Sequence, residues 1–527
     1  MKVRGDIVKV YKDVHIWVGI LSGLMLFVAF YAGAITMFEK PLERWATPPS
    51  ALPPPPPLGD TQALIDAVMA KHPEAADEFR VIVETTADEP ARLVWRVRGE
   101  NRGDYQDYRA GFAPDGRLRV EAARRAAAAQ TVDTLHQEVG LPFPAIVNTQ
   151  IMGIVALMYA VALVSGVIVL LPTLAKDFFA LRVGGNIKRM WLDAHNALGI
   201  VSLPFHLIIA LTSVIFAFHT PIYAVQDKLV YPGGLQWPHE APASPAGAKI
   251  LPPQALLEKA NAQLPGFSVE SFVFRRNREG VVEGTVTGRD IRYGTRARTY
   301  SATHFDPYTG VVDPHDLPGR MAPYDSAVNT FFMLHFGSFG GNAVRWMYFL
   351  LGLAGAMVFY TGNLLWIESR RKKQRGTERP VQKRNTRVLG ALTVGVSLGC
   401  VSGVSATLAA AKWLPARVEN LAAWHEGVYF TVFACALAWA FLRGAARAAP
   451  ELLRFSAVLT LGIPLSSLAG VWGIGGTWNH PGWLAAVDLT ALAAVPALLW
   501  IARKSARRAG QGAPDSIWSA RAPQLSG

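Results

Sequence analysis

Cysteine is nearly missing: the 527 residues hold two, Cys400 and Cys435. That excludes a disulfide framework, an all-Cys iron–sulfur site and the Cys-x-x-Cys-His motif that attaches haem covalently. Both cysteines fall inside apolar runs and read as core thiols. Acids are scarce as well, with 39 Asp and Glu against 52 Lys and Arg. Few of them stand within the apolar runs, which leaves a transporter little with which to couple protons or sodium. No Walker sequence, no glycine-rich loop between a strand and a helix and no Ser-His-Asp arrangement occurs. The glycine-rich stretches Phe336–Gly341 and Gly473–Gly476 flank apolar runs and read as turns or close helix contacts. With no NAD or flavin site encoded, electrons must come from a quinol or a separate reductase.

What is abundant is apolar sequence: 51% of the residues are hydrophobic. A soluble domain cannot bury that much, and the runs are long enough to cross a bilayer. The formal charge of +13 comes largely from short basic runs beside those spans, at 176–189, 370–373, 443–454 and 503–508. Such placement follows the positive-inside rule and, without a basic–aromatic module, no nucleic acid is expected as a partner.

The chain divides accordingly into a polytopic α-helical membrane protein with about eight transmembrane helices. Residues 1–38 form the first helix, too long in its apolar part for a cleaved signal peptide. Residues 39–147 form a first periplasmic insert, opened by a proline run that exits the membrane as stiff polyproline II. In that insert Thr61–His72 reads as an amphipathic helix, and 79–84 and 92–98 alternate as strands. Helices 2 and 3 occupy 148–219. A second insert covers 220–334, with a helix near 253–263 and strands near 269–274, 281–286 and 297–305. Helix 4 follows at 335–369, a basic cytoplasmic loop at 370–387, helices 5–8 at 388–502 and a cytoplasmic tail at 503–527. Both termini then lie in the cytoplasm and both inserts on the other side.

Histidine within the spans carries the chemistry, because ionisable groups in apolar runs are rare without a use. His15-Ile-Trp-Val-Gly19 followed by Ala32-Gly33 repeats as His195-Asn-Ala-Leu-Gly199 followed by Thr212-Ser213. Leu135-His136 before a span ending at Ser165-Gly166 repeats as Leu334-His335 before one ending at Thr361-Gly362. The pattern is an internal duplication, giving a core of 2+2 helices and two α+β inserts. His206 follows His195 by eleven residues, which on one helix is nearly the same face about 16 Å further on.

Haem iron takes neutral imidazole on its axial faces, and a bis-histidine iron suits electron transfer. His15 and His195 both begin helices entering from the cytoplasm and can flank one haem. His136 and His335 both precede helices entering from the periplasm and can flank a second. His206 either replaces His136 as an outer ligand or contacts a propionate or a quinone. Arg345, or Lys188 with Arg189, can face the propionates or act as topogenic charges. Asp193 orients a neighbour or begins its helix. His219, His425 and His480 read as structural.

The paired spans with histidine at their starts, together with Asp306-Pro-Tyr-Thr-Gly310 closing a helix-then-strands insert, resemble the PepSY-associated transmembrane family of iron-regulated bacterial inner-membrane proteins. The resemblance covers roughly 10–370 and is similar to the family's siderophore-reductase branch. It implies b-type haems, two by the paired pattern, and a ferric siderophore reduced at the periplasmic face; Arg345, Trp346 and Tyr324, near the outer histidine, can meet a negatively charged chelate. Ala113-Pro-Asp-Gly116 stands in the first insert in place of the Asp-Pro-x-Thr-Gly turn. Two other classes remain open: a non-enzymatic PepSY-type binding or regulatory protein, and a quinone-linked cytochrome b.

Overall fold

The computed structural model describes residues 4–86, 90–98, 105–123, 126–174, 187–229, 249–277, 279–290, 292, 301–317, 319–321, 323–374 and 382–521. The loop 176–186 and the start of the last expected strand, 297–300, lie outside the described residues. Two compact units divide the chain: residues 1–48, 125–222 and 345–527 in one, and 49–124 with 223–344 in the other.

The first unit is helical. Its elements are α1 (Gly5–Thr36), the short amphipathic α2 (Glu39–Ala46), α4 (Ala128–Glu138), α5 (Ala145–Leu170), α6 (Ile187–Val201), α7 (Leu203–Leu229), α10 (Gly341–Gln374), α11 (Arg384–Ala410), α12 (Leu421–Arg443), α13 (Ala445–Val471) and α14 (Ala485–Gln511). The carboxyl end of α7 and the amino end of α10 run past the unit's bounds. Among the described residues, eight helices are long and apolar enough to cross a membrane: α1, α5, α7 and α10 through α14. Apolar side chains such as Leu207, Val458 and Leu489 face outward from them, as lipid solvation permits.

The central apolar segment is not one helix, as a single stripe through His195 and His206 requires. It breaks at Ser202, between α6 and α7. Pro204 explains the break: it has no N–H for the carbonyl four residues earlier, and its ring crowds that turn. His195 and His206 therefore ride on separate helical pieces, and the apolar membrane-crossing stretch begins at Leu203. A second correction concerns the thiols. Cys400 is buried but Cys435 is exposed on the outer surface of α12, since it lies off the stripe Leu421, His425, Tyr429, Ala436 and Ala440 that packs inward.

Helices α11 and α12 approach closely because α11 carries glycine every fourth residue. A Cβ on Gly395, Gly399 or Gly403 would meet Leu437, Phe433 or Tyr429 at 2.8, 3.1 and 2.7 Å respectively. Hydroxyl pairs join α11 to α13, with Ser402 to Ser456 at 2.8 Å and Ser405 to Thr460 at 2.9 Å. In an apolar bundle such pairs satisfy groups that lipid cannot.

The second unit holds α3 (Thr61–Lys71), α8 (Pro253–Gln263), α9 (Pro323–Phe336) and seven strands: β1 (Glu78–Ile82), β2 (Leu93–Arg98), β3 (Tyr105–Phe112), β4 (Leu118–Ala122), β5 (Ser268–Arg276), β6 (Val282–Arg289) and β7 (Ser301–Phe305). The two expected inserts are one structure. Their strands form a single antiparallel sheet in the order β4-β3-β2-β1-β5-β6-β7. Where β1 meets β5, Phe79 lies opposite Phe274 with the rings stacked 4.5 Å apart. One core covers this junction: Leu64 and Val68 of α3 and Leu256 and Ala260 of α8 pack with Val81, Trp95, Phe272 and Val286. The proline run is strapped down by Arg92, which donates to the carbonyls of Pro56, Ile82 and Val83. Both expected turns form. Gly116 and Gly310 take positive φ, and Asp306 caps its turn through Tyr308 N and Thr309 Oγ1.

Candidate functional site

His15 and His195 face each other inside the first unit, with ring centroids 6.2 Å apart and planes at 76°. His15 Nδ1 is 2.8 Å from the Ala162 carbonyl on α5. His195 Nδ1 is 3.1 Å from both the Val358 carbonyl and Thr361 Oγ1 on α10. A carbonyl can only accept, so each Nδ1 carries hydrogen and each neutral ring keeps its lone pair on Nε2.

The sequence duplication is repeated in this contact. Each imidazole docks where its partner helix offers a carbonyl, then a hydroxyl three residues on, then a glycine four residues on: Ala162, Ser165 and Gly166 for His15, and Val358, Thr361 and Gly362 for His195. The glycine leaves room for the ring. A Cβ on Gly166 would fall 2.9 Å from His15 Cε1.

His136, at the end of α4, follows the carbonyl and glycine parts of that rule against α1, with Ala32 where the other two sites have a hydroxyl. Its Nδ1 is 2.8 Å from the Ala29 carbonyl, and a Cβ on Gly33, four residues on, would lie 2.6 Å from that nitrogen. Burial pushes the carboxyl of Asp133, one turn before His136, above the usual range, and the imidazole opposes the shift. His335 ends α9 in the other unit, 5.5 Å from the Phe336 ring.

His206 is 2% exposed and caged by Phe30, Tyr159, Phe205 and Phe359, with centroids 5.6–6.4 Å away. The Tyr159 hydroxyl donates to the His206 carbonyl at 3.1 Å and lies 2.6 Å from Nδ1. Its only hydrogen is used on the carbonyl, so Nδ1–H donates to the phenol oxygen. Nε2 is left with its lone pair, buried and without a partner. Tyr159 was absent from the sequence reading, as were Ala162 and Val358. Ser165-Gly166 and Thr361-Gly362 were visible as span ends, but a docking carbonyl has no side-chain signature.

Among the other expected residues, Asp193 is 1% exposed and pairs with Arg189 at 3.1 Å. Trp346, one residue after Arg345 at the start of α10, lies against Phe38 with ring centroids 4.6 Å apart and planes tilted at 52°. The side chain of Tyr324 lies outside the described residues. His219 leans on the Phe216 carbonyl at 2.5 Å. His425 is fully buried with neither ring nitrogen partnered. His480 belongs to a polar cluster: it is 2.8 Å from Asp488, which accepts from Ser467, and Ser467 accepts from Lys412 and Trp45.

Whether haem suits the inner pair can be tested on distance. Metal–nitrogen bonds of about 2.0 Å, with each ring centre roughly 1 Å behind its nitrogen, separate the centroids of two axial imidazoles by about 6 Å. The observed 6.2 Å and the Nε2 lone pairs fit that group. Among the described residues no three His, Cys, Asp or Glu gather as a metal-binding group.

The fold defines a multi-pass helical membrane protein carrying a soluble α+β unit. Residues 13–369 match the PepSY-associated TM region family, and the chain belongs to that family. No curated protein matches the chain. Helices α11 to α14 lie beyond the matched region.

Proposed function

We propose that this protein is a haem b-containing electron-transfer protein of the bacterial inner membrane, which reduces ferric siderophores on the periplasmic side. The observation that carries the reading is the facing pair His15 and His195, each fixed by a main-chain carbonyl with Nε2 free to ligate. Haem held there by His15 and His195 would supply a one-electron couple suited to electron transfer.

The surrounding residues do the positioning. Ala162 and Val358 hold the tautomer, as partners behind a ligating histidine commonly do. Phe30, Phe205 and Phe359 keep water from His206, and Tyr159 fixes its proton on Nδ1. On the sequence pattern, His136 and His335 are the proposed ligands of a second haem. A quinol or a separate reductase supplies the electrons, and the ferric chelate takes one per iron. Reduction loosens the chelate because hard oxygen ligands favour Fe(III) over Fe(II).

The test begins with the absorption spectrum of the purified protein, which is expected to show a strong Soret band and about two haems per chain. Anaerobically reduced protein is then mixed with ferric siderophores, and haem reoxidation is followed beside Fe(II) capture by a ferrous chelator. Equal rates of the two are expected. A colourless preparation overturns the haem assignment. Reoxidation by quinone alone, without Fe(II), leaves a quinone-linked cytochrome instead.

A further inference from the structure

Beyond the family-matched region, the last membrane helix brings a cation against Trp191, the residue one turn before His195. Arg508, in the last turn of α14, places its guanidinium carbon 5.8 Å from the centre of the Trp191 ring and 5.8 Å from that of Trp518. Trp191 precedes His195 by four residues on α6, on the same face and about 6 Å nearer the helix start. Among the described residues, both indole Nε1 atoms are buried without a hydrogen-bond partner, and so is Arg508 Nη2.

The nearest acid does not satisfy that nitrogen. Glu368 is 3.7 Å from it, past hydrogen-bond reach, and is itself shared with Arg371 at 3.3 Å. Arg371 is in turn gripped by Asp515 through two bonds of 3.0 and 2.8 Å. Arg371 is met by Oε2, and Oε1, the oxygen facing Arg508, is itself buried without a hydrogen bond among the described residues, so the guanidinium and both indole N–H groups stand near one carboxylate oxygen that none of them reaches. Unmade bonds to buried donors are costly, and a guanidinium fork with two N–H groups suits an anion with two oxygens.

We propose that Arg508, with the indole N–H groups of Trp191 and Trp518, binds a propionate carboxylate of the haem held by His15 and His195, so that the last helix completes the cofactor site. The assignment rests on the haem reading above. Arg345 cannot serve this pair, because it lies sixteen residues, about 24 Å, along α10 from Thr361. Arg189 is turned to Asp193.

The test pairs a change in the protein with a change in the ligand. Full-length protein prepared without haem is titrated with haem and with haem dimethyl ester, reading the site whose signal disappears in His195→Ala. Wild type is expected to bind the ester at least about tenfold more weakly. Arg508→Gln should bind the two within about twofold, and its haem should have a more negative midpoint potential, since a nearby cation is lost. Trp191→Phe with Trp518→Phe keeps the packing, removes both N–H donors and should shrink the ester penalty as well. It replaces Arg508→Gln if that variant does not fold. An equal ester penalty in wild type and variants overturns the proposal and puts the carboxylates elsewhere. Failure of wild type to bind either ligand overturns the haem reading itself.

Discussion

At the scale of single residues, the histidines proposed as ligands share a bond on the far side of the ring. His15, His136 and His195 each give Nδ1–H to a carbonyl of a neighbouring helix, and that bond costs nothing in an apolar span only because the carbonyl would otherwise serve the helix alone. His15→Ala and His195→Ala should therefore abolish the same haem signal, leaving about one haem per chain in each variant by the paired reading. Gly166→Val should do so too, with both histidines present, because its side chain would occupy the place of the His15 ring. Haem spectra and quantitation decide it: two different haems lost from His15→Ala and His195→Ala would separate the pair.

Lys412 offers a residue-scale test of the polar cluster. It is fully buried, beyond the end of α11, and burial pushes its ammonium down to about 8, with Asp488 opposing. A lysine whose folded pKa lies below its unfolded value binds fewer protons when folded, so its contribution is fullest above about pH 10.4. That contribution falls as pH drops toward 8 and is constant below, a difference of about 3 kcal/mol. Unfolding curves in detergent should thus show wild type losing stability between pH 10 and 8 relative to Lys412→Met. Parallel curves for the two proteins would rule out the shifted ammonium.

At the scale of elements, the span positions were legible because length and apolar content alone define them, and strand alternation revealed the helix-then-strands order of each insert. The pairing of β1 with β5 was not legible. It joins residues nearly 200 apart, and nothing in either strand's local pattern names its neighbour. The break at Ser202 was within reach, since Pro204 marked it, but the apolar run masked that signal. Likewise the histidines could be paired from the duplication, while Tyr159 and Arg508 could not, because neither belongs to a repeated motif. The shared sheet makes a prediction of its own. Phe79→Ala and Phe274→Ala should each destabilise by about 3–5 kcal/mol and raise hydrogen exchange in β3 and β6 together. Loosening confined to the strands of the mutated insert would mean that the two halves fold independently.

At the scale of the whole molecule, the orientation in the membrane follows from charge. The basic residues preceding α1, those at the carboxyl end of α10, Arg443 and Arg447 on either side of the Gly444 turn between α12 and α13 and the basic end of α14 all fall on one side if eight spans alternate. On the proposed reading the sheet unit is expected on the other side, where a chelate too polar to enter the spans would be met. Impermeant maleimide applied to spheroplasts of a Cys-free background checks this. Asp115→Cys and Glu279→Cys lie at exposed turns of β3–β4 and β5–β6, and both should label at once. Arg384→Cys and Lys504→Cys, exposed at the start of α11 and near the end of α14, should label only after lysis. Since the basic end of α14 also carries Arg508, its side fixes that of the inner histidine pair. Labelling of Lys504→Cys before lysis would turn the whole electron path around, with the acceptor side of the proposed reaction in the wrong compartment.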